Sequence, residues 1–320
     1  MLHVTNGDCA AALIRASGVG EDVLPWRDVL HEGPVPAGLD LDELSQLRAE
    51  FLAGQGWGTL QQARESLAER NAMLAECNEH DEVVLWFEHD LYDQLQLIQL
   101  IDWFAPRRTV LSLICVDRFP GIERFTGLGL LDPAQTASLF PMKRSLTEDQ
   151  LALGRAAWNA FRSADPSAIT DLLGSDTSAL PFLAAALHRH IEQFPSTQNG
   201  LGRTEQQILD NLGPDPRRAA ELFRADHRQE SSPFLGNATF FSYLSRLATG
   251  PHPLVVLDAA PVSGDRIVTM TADGRAVLEN RADAIALNGI DRWWGGVHQR
   301  GSEVLWRRDP GSRVLVRTGV

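Results

Sequence analysis

Four short stretches of this chain concentrate ionisable and amide side chains beyond what packing requires. They are Thr5-Asn6-Gly7-Asp8, Trp26-Arg27-Asp28-Val29-Leu30-His31-Glu32-Gly33-Pro34, Glu88-His89-Asp90-Leu91-Tyr92-Asp93-Gln94, and Asp117-Arg118. The third is the sharpest, because three consecutive ionisable residues follow an apolar run and precede a helical pattern. Carboxylates together with an imidazole can hold Mg²⁺, Mn²⁺ or Zn²⁺, so Glu88, His89 and Asp90 are the expected ligands of a divalent metal. Such groups also act as general acid and base when burial moves their pKa values. On that ground His31, Glu32, Glu88 and His89 are the candidate catalytic residues. The plainer alternative is that Asp90 only caps the next helix while Glu88 and His89 face solvent.

The remaining polar residues read as ligand contacts. In His31-Glu32-Gly33-Pro34 the Gly-Pro pair makes a stiff turn that would fix the direction of both side chains, or it is an ordinary exposed loop. The Arg27 fork suits a phosphate or a carboxylate, and it could equally pair with Asp28 or Glu32. Asn6 or Asp8 is placed to cap a helix. A helix start attracts anions, but an acid at Asp8 suits a cation or a sugar hydroxyl better than a phosphate. Asp93 and Gln94, one helical turn on, would support the site from behind.

These stretches matter together only if the fold brings them together. Residues 2–5, 22–25, 82–87 and 109–116 read as buried strands, and the apolar run in 82–87 is of the kind a parallel sheet covers on both faces. Helical spacing occupies 9–16, 39–77 and the segment whose apolar face is Leu91, Leu95, Ile98 and Ile101. Strand and helix alternate, so an α/β fold with an open parallel, Rossmann- or flavodoxin-like sheet is expected. Ligands of such sheets bind beyond the carboxyl ends of the strands, where the strand order reverses. All four polar stretches follow strands.

From residue 146 the texture changes to helices near 147–161, 168–173 and 179–194, then 204–212, 217–228 and 238–248, followed by strands at 254–258 and 266–270. Three helices and a hairpin are in winged-helix order. The expected organisation is an α/β domain over 1–145, a helical linker region over 146–200 and a winged-helix-like domain over 201–320. The helix that would read DNA, 237–248, holds one Arg and three aromatics. That is poor equipment for phosphates and base edges, so DNA is a disfavoured partner. Docking on the N-terminal domain, on another protein or on a second copy is the favoured use.

Bulk properties narrow the class. The 320 residues carry a net charge of −13. Residues 1–199 hold 14 basic and 28 acidic residues, residues 200–320 hold 15 and 14, so the acidity lies in the first part. That part would repel nucleic acid and attract cations. Cys9, Cys77 and Cys115 are an odd, widely spaced set, unlike a disulfide framework or a thiolate zinc site. There is no long apolar run and no basic, apolar leader at the start, so no membrane association is expected and the cytoplasm is the expected location. Phosphate-loop, dinucleotide-fingerprint, nucleophile-elbow and zinc-protease motifs are all missing.

HVTNGD at 3–8, the run from Asp22 to Pro36 (DVLPWRDVLHEGPVP) and WFEHDLYDQLQL at 86–97 resemble an uncharacterised bacterial domain-of-unknown-function family. The resemblance covers roughly residues 1–120, and the remainder is similar to the helical, winged-helix-like extension of some members. It implies a domain boundary but no reaction. The residues themselves suggest a metal-assisted hydrolase or transferase acting on a nucleotide or another phosphorylated or sugar-like small molecule. The alternative is a ligand-sensing regulator or interaction module working through the C-terminal part.

Overall fold

A computed structural model describes residues 1–260 and 263–318, which divide into two compact units. The first comprises Met1–Leu187 with Gly295–Val297, the second His188–Trp294 with His298–Val320. The boundaries expected at 145 and 200 do not coincide with this division.

The first unit is built on β1 (Leu2–Thr5), α1 (Asp8–Ala16), β2 (Val23–Pro25), β3 (Gly33–Pro34), α2 (Leu41–Gly54), α3 (Leu60–Ala75), β4 (Val83–Glu88), α4 (Leu91–Phe104) and β5 (Leu111–Val116). After them come α5 (Pro133–Leu139), β6 (Arg144–Ser145), α6 (Glu148–Arg162) and α7 (Ser167–Leu173). The sheet order is β2-β1-β4-β5-β6. The first four strands pair in parallel, and β6 closes the edge antiparallel to β5. The chain runs outward from β1 to β2, then returns to the other side of β1 for β4. The order therefore reverses between β1 and β4, and the crevice of such a sheet lies there.

Burial explains the elements. All six residues of β4 are buried, as a central parallel strand requires. On one face Val84, Trp86, Ile114 and Val116 pack with Ala10, Ala11 and Ile14 of α1 and with Phe125, Leu128, Leu131 and Leu139. On the α4 helix burial extends well beyond the expected stripe, to Gln94, Gln96 and Gln99. Each buried amide has a partner: Gln94 donates to the Glu88 carbonyl (2.6 Å), Gln96 to the Asp28 carbonyl (2.8 Å), and Gln99 accepts from the Trp26 indole (2.9 Å). These bonds tie α4 to the polar loops after β4 and β2.

The helical stretch expected over 39–77, with one apolar stripe from Leu41 to Phe51 and another from Leu67 to Cys77, is two helices. Thr59 opens the second with a reciprocal capping box to Gln62. A helix at α6 was expected, and it packs within the first unit. The antiparallel edge strand β6 is too short to leave a periodic signature.

In the second unit, α8 (Leu183–Ile191) enters from the first, followed by α9 (Arg203–Leu212), β7 (Arg217–Arg218), α10 (Ala219–Gln229), α11 (Asn237–Leu247), β8 (Val255–Leu257) and β9 (Ile267–Met270). The three strands form an antiparallel sheet in the order β7-β9-β8. Beyond it lie α12 (Ala272–Leu278) and α13 (Ala284–Asn288) and further short strands, none of which the apolar periodicity revealed. Trp294 is buried, stacks on Phe194 with centroids 4.9 Å apart and donates to the Gln193 carbonyl. Among the described residues no helix is long and apolar enough to cross a membrane.

Candidate functional site

The carboxyl end of β4 delivers Glu88, and the first turn of α4 delivers Asp90 and Asp93. Each offers a carboxylate oxygen within 4.8 Å of the others, and all three residues are buried. Local chemistry places them. Asp90 is the N-cap of α4, its Oδ1 accepting from the Asp93 amide at 3.1 Å. Asp93 turns back across that turn, where its Oδ1 accepts from the Glu88 amide at 2.8 Å. The capping alternative is thus correct for Asp90 without removing it from the cluster.

Asn6, at the end of β1, bridges the switch point. Its amide donates to Asp93 Oδ2 at 2.8 Å and to Glu88 Oε1 at 3.3 Å, while its carbonyl accepts from the Tyr92 hydroxyl at 3.2 Å. Glu88 Oε1 also accepts from the Leu128 amide at 2.6 Å. Gly127, just before, is at φ +145, and a Cβ there would stand 2.4 Å from Glu88 Oε2. Only glycine combines that backbone angle with that close an approach. No feature of the sequence near Glu88 pointed to the 127–128 segment, because it lies 40 residues away.

Gathering three carboxyls in a dry site disfavours their charge. Burial pushes Asp93 up to about 7, against the hydrogen bonds from Asn6 and the Glu88 amide that favour its charged form. Burial, followed by repulsion from Asp93, raises both Glu88 and Asp90 well above the ordinary carboxyl range. Such a group is at ease only when protons, donors or a cation offset its charge.

The other expected residues fall elsewhere. His89 does not join the carboxylates in the gathered group; Asp93 takes the third place. The reason is the alternation of an extended chain, which turns His89 away from the side shared by Glu88 and Asp90. Its ring meets Phe182 edge-on at 6.0 Å, and its Nδ1 has no hydrogen-bond partner among the described residues. Burial holds it below the usual imidazole range, with Asp117 acting in the opposite sense.

Arg27 takes neither Asp28 nor Glu32. It makes a forked pair with Asp8, Nη2 to Oδ1 at 2.5 Å, at the exposed rim. The Asp8 carboxyl is held below its ordinary value by that bond. Neither Asn6 nor Asp8 caps α1, since both side chains are used in these other contacts, and the cap position is Gly7 without a side-chain bond. Arg118 is spent on Asp117 at 2.8 Å.

His31 and Glu32 are buried rather than in an exposed loop, with His31 edge-on to Tyr92 at 5.9 Å. Gly33, at φ +78 with the Phe51 ring 2.6 Å from where a Cβ would sit, makes the turn. Their loop is held by two buried arginines that the sequence reading missed. Arg48 of α2 binds Asp28 (2.8 Å) and the carbonyls of Val29 and Glu32. Arg70 of α3 stacks over Trp26 at 3.9 Å and donates to Ser45 and Asn71. Arginines on polar-looking helices resemble surface residues, so only the pairing of α2 with α3 against the loop identifies them.

No family model and no curated protein matches the chain. Among solved structures it is similar to the DNA-binding, cleavage and re-ligation domain of Plasmodium falciparum topoisomerase II, at 12% identity and a TM-score of 0.44. The match covers 86% of this chain and 47% of that one, so the chain spans about half the length of that structure. A likeness at this level carries no statement about what the chain does.

Proposed function

We propose that the first unit is a metal-assisted hydrolase or transferase acting on a nucleotide or another phosphorylated or sugar-like small molecule. The observation that carries this reading is the buried group Glu88, Asp90 and Asp93 at the reversal of strand order between β1 and β4. Three carboxylates are the donor set of a hard divalent cation such as Mg²⁺ or Mn²⁺, and less that of Zn²⁺ once His89 is set apart. When bound, the cation would supply Lewis-acid polarisation of a phosphoryl or carbonyl oxygen. Asn6 holds Glu88 and Asp93 in register. Arg27, already neutralising Asp8, would meet an anionic substrate at the rim. His89, set off the carboxylate side, stands as the candidate general acid or base of this reading. His31, edge-on to Tyr92, and Glu32 stand as the further candidate catalytic residues of this reading.

The test is thermal unfolding of the purified chain with nucleotides and sugar phosphates, with and without Mn²⁺ or Mg²⁺, followed by an assay of phosphate release for whichever ligand binds. A ligand that binds only the native state raises the melting temperature. A cation-dependent rise that vanishes in Glu88→Ala is expected. A rise that persists in Glu88→Ala and Asp93→Ala refutes the site.

One observation favours a second reading. The second unit runs α9, β7, α10, α11, β8, β9 with a β7-β9-β8 antiparallel sheet, which supports a winged-helix-like reading. In that reading the chain is a ligand-sensing regulator or an interaction module. The near-neutral charge of residues 200–320 speaks for a protein partner over DNA. A gel shift at two salt concentrations decides between them, because phosphate contacts weaken as salt rises.

A further inference from the structure

The second unit contains a buried carboxyl that none of these readings uses. Asp226 lies on α10 at 1% exposure, and neither of its oxygens accepts a hydrogen bond among the described residues. Gln207 Oε1, on α9, is a further buried acceptor without a donor. The charges that act on Asp226 are Glu230, one turn on along α10, Arg189 from α8 and Arg203 from α9. Both guanidinium groups engage Glu230, and Arg189 Nη1 is left as a buried donor without a hydrogen-bond partner among the described residues. Arg189 grips Glu230 with Nη2 at 2.8 Å and Nε at 3.1 Å. Arg203 reaches Glu230 at 3.5 Å and Glu192 at 2.5 Å.

From the other neighbouring elements no hydrogen bond reaches the Asp226 oxygens among the described residues. The buried residues of α11 are Thr239, Phe240, Tyr243, Leu244 and Leu247, none of them charged. On the sheet side Arg218 and Asp265 face each other at 3.8 Å in solvent. His227, next to Asp226, is turned onto the Phe223 ring at 4.0 Å, and His190 of α8 lies edge-on to Phe194. Arg308 lies beyond, beside Glu192 and Arg203. An ionised Asp226 would therefore be desolvated, with no donor bonded to either oxygen and one helical turn from a like charge, whereas a protonated carboxyl carries no charge to desolvate.

We infer that Asp226 is a proton-operated latch of the second unit: protonated, it lets α8, α9 and α10 close on one another, and ionised, it drives them apart. Burial pushes its carboxyl up to about 7, in the same direction as the geometry. The sign follows. A carboxyl whose folded value lies above its unfolded value of about 3.8 stabilises the fold fully below 3.8, and this stability is lost as pH rises through the folded value. The unit is thus tightest in mild acid and loosens up to neutrality, where the effect levels off.

Hydrogen exchange of the full chain, read by mass spectrometry on peptides from α9 and α10 and corrected for intrinsic exchange rates, tests the latch between pH 5 and pH 8. The opening constant of the parent should rise about tenfold per pH unit more steeply than that of Asp226→Asn up to about pH 7, then run parallel to it. Asp226→Leu, which removes the acceptors altogether, should behave as Asp226→Asn does. In infrared spectra at pH 6 the parent should show a protonated carboxyl C=O band that both variants lack. Equal slopes in parent and variants, or no carboxyl band lost on substitution, overturn the latch.

Discussion

Replacing Asp90 by Asn separates a cation-dependent cluster from a structural cap. Asn is as good an N-cap as Asp, so the bond from the Asp93 amide to the residue at position 90 survives, while one of three charges disappears. Two unit charges no more than 4.8 Å apart repel by at least about 3.5 kcal/mol at an effective dielectric constant of about 20. Protons taken up by the cluster relieve part of this. A gain of about 2–4 kcal/mol at pH 8 is therefore expected without added metal, or about 5–10 °C in melting temperature for a unit of this size. The sign is set by the raised folded values. Asp93, pushed to about 7, and Glu88 and Asp90, pushed the same way, stabilise the fold below their unfolded values of 3.8 for Asp and 4.5 for Glu. That stability is lost as pH rises through 7. The advantage of Asp90→Asn should accordingly shrink to under about 1 kcal/mol at pH 5, where the parent carboxyls hold their protons. Mn²⁺ should offset most of that advantage: at a hundred times its dissociation constant it stabilises the parent by about 2.7 kcal/mol, and the variant by much less. Calorimetry at pH 5 and 8, with and without Mn²⁺, reads all four conditions. A variant destabilised at pH 8, or one whose gain is the same at both pH values, refutes the electrostatic account of the cluster.

Three further outcomes are expected. Gly127→Ala should cost about 2–4 kcal/mol and abolish the Mn²⁺ response, since the alanine must leave φ +145 and displace Glu88 Oε2; chemical denaturation with and without Mn²⁺ measures both. Arg48→Met should destabilise by about 3–5 kcal/mol, because it takes the nearest cation from the buried Asp28, leaving Arg70 at 3.9 Å, and removes the donor of two loop carbonyls; a loss under 1 kcal/mol in urea unfolding would show the pair to be dispensable. Arg27→Ala should change stability by less than about 1 kcal/mol, as its pair with Asp8 is exposed, yet weaken any phosphorylated ligand found in the thermal screen; calorimetric titration of that ligand into both proteins checks it.

The sequence by itself determined the α/β alternation, the parallel strands and the polar density at their carboxyl ends. Those are local properties: the continuous apolar run of β4 needs burial on both faces, and Asp90 caps the helix it precedes. Glu88, Asp90 and Asp93 were legible because six residues span all three. Their grouping was not, since the choice of Asp93 over His89 depends on which way each side chain turns as a strand becomes a helix. Asn6, Gly127 and Leu128 join Glu88 across 82, 39 and 40 residues, and a pairing at such separation leaves no periodic trace. Arg48 and Arg70 looked like surface cations until α2 and α3 closed over the loop they hold. Residue type fixes what a side chain can do; only the packing of distant elements decides which neighbours it has, how dry it is, and therefore what charge it carries.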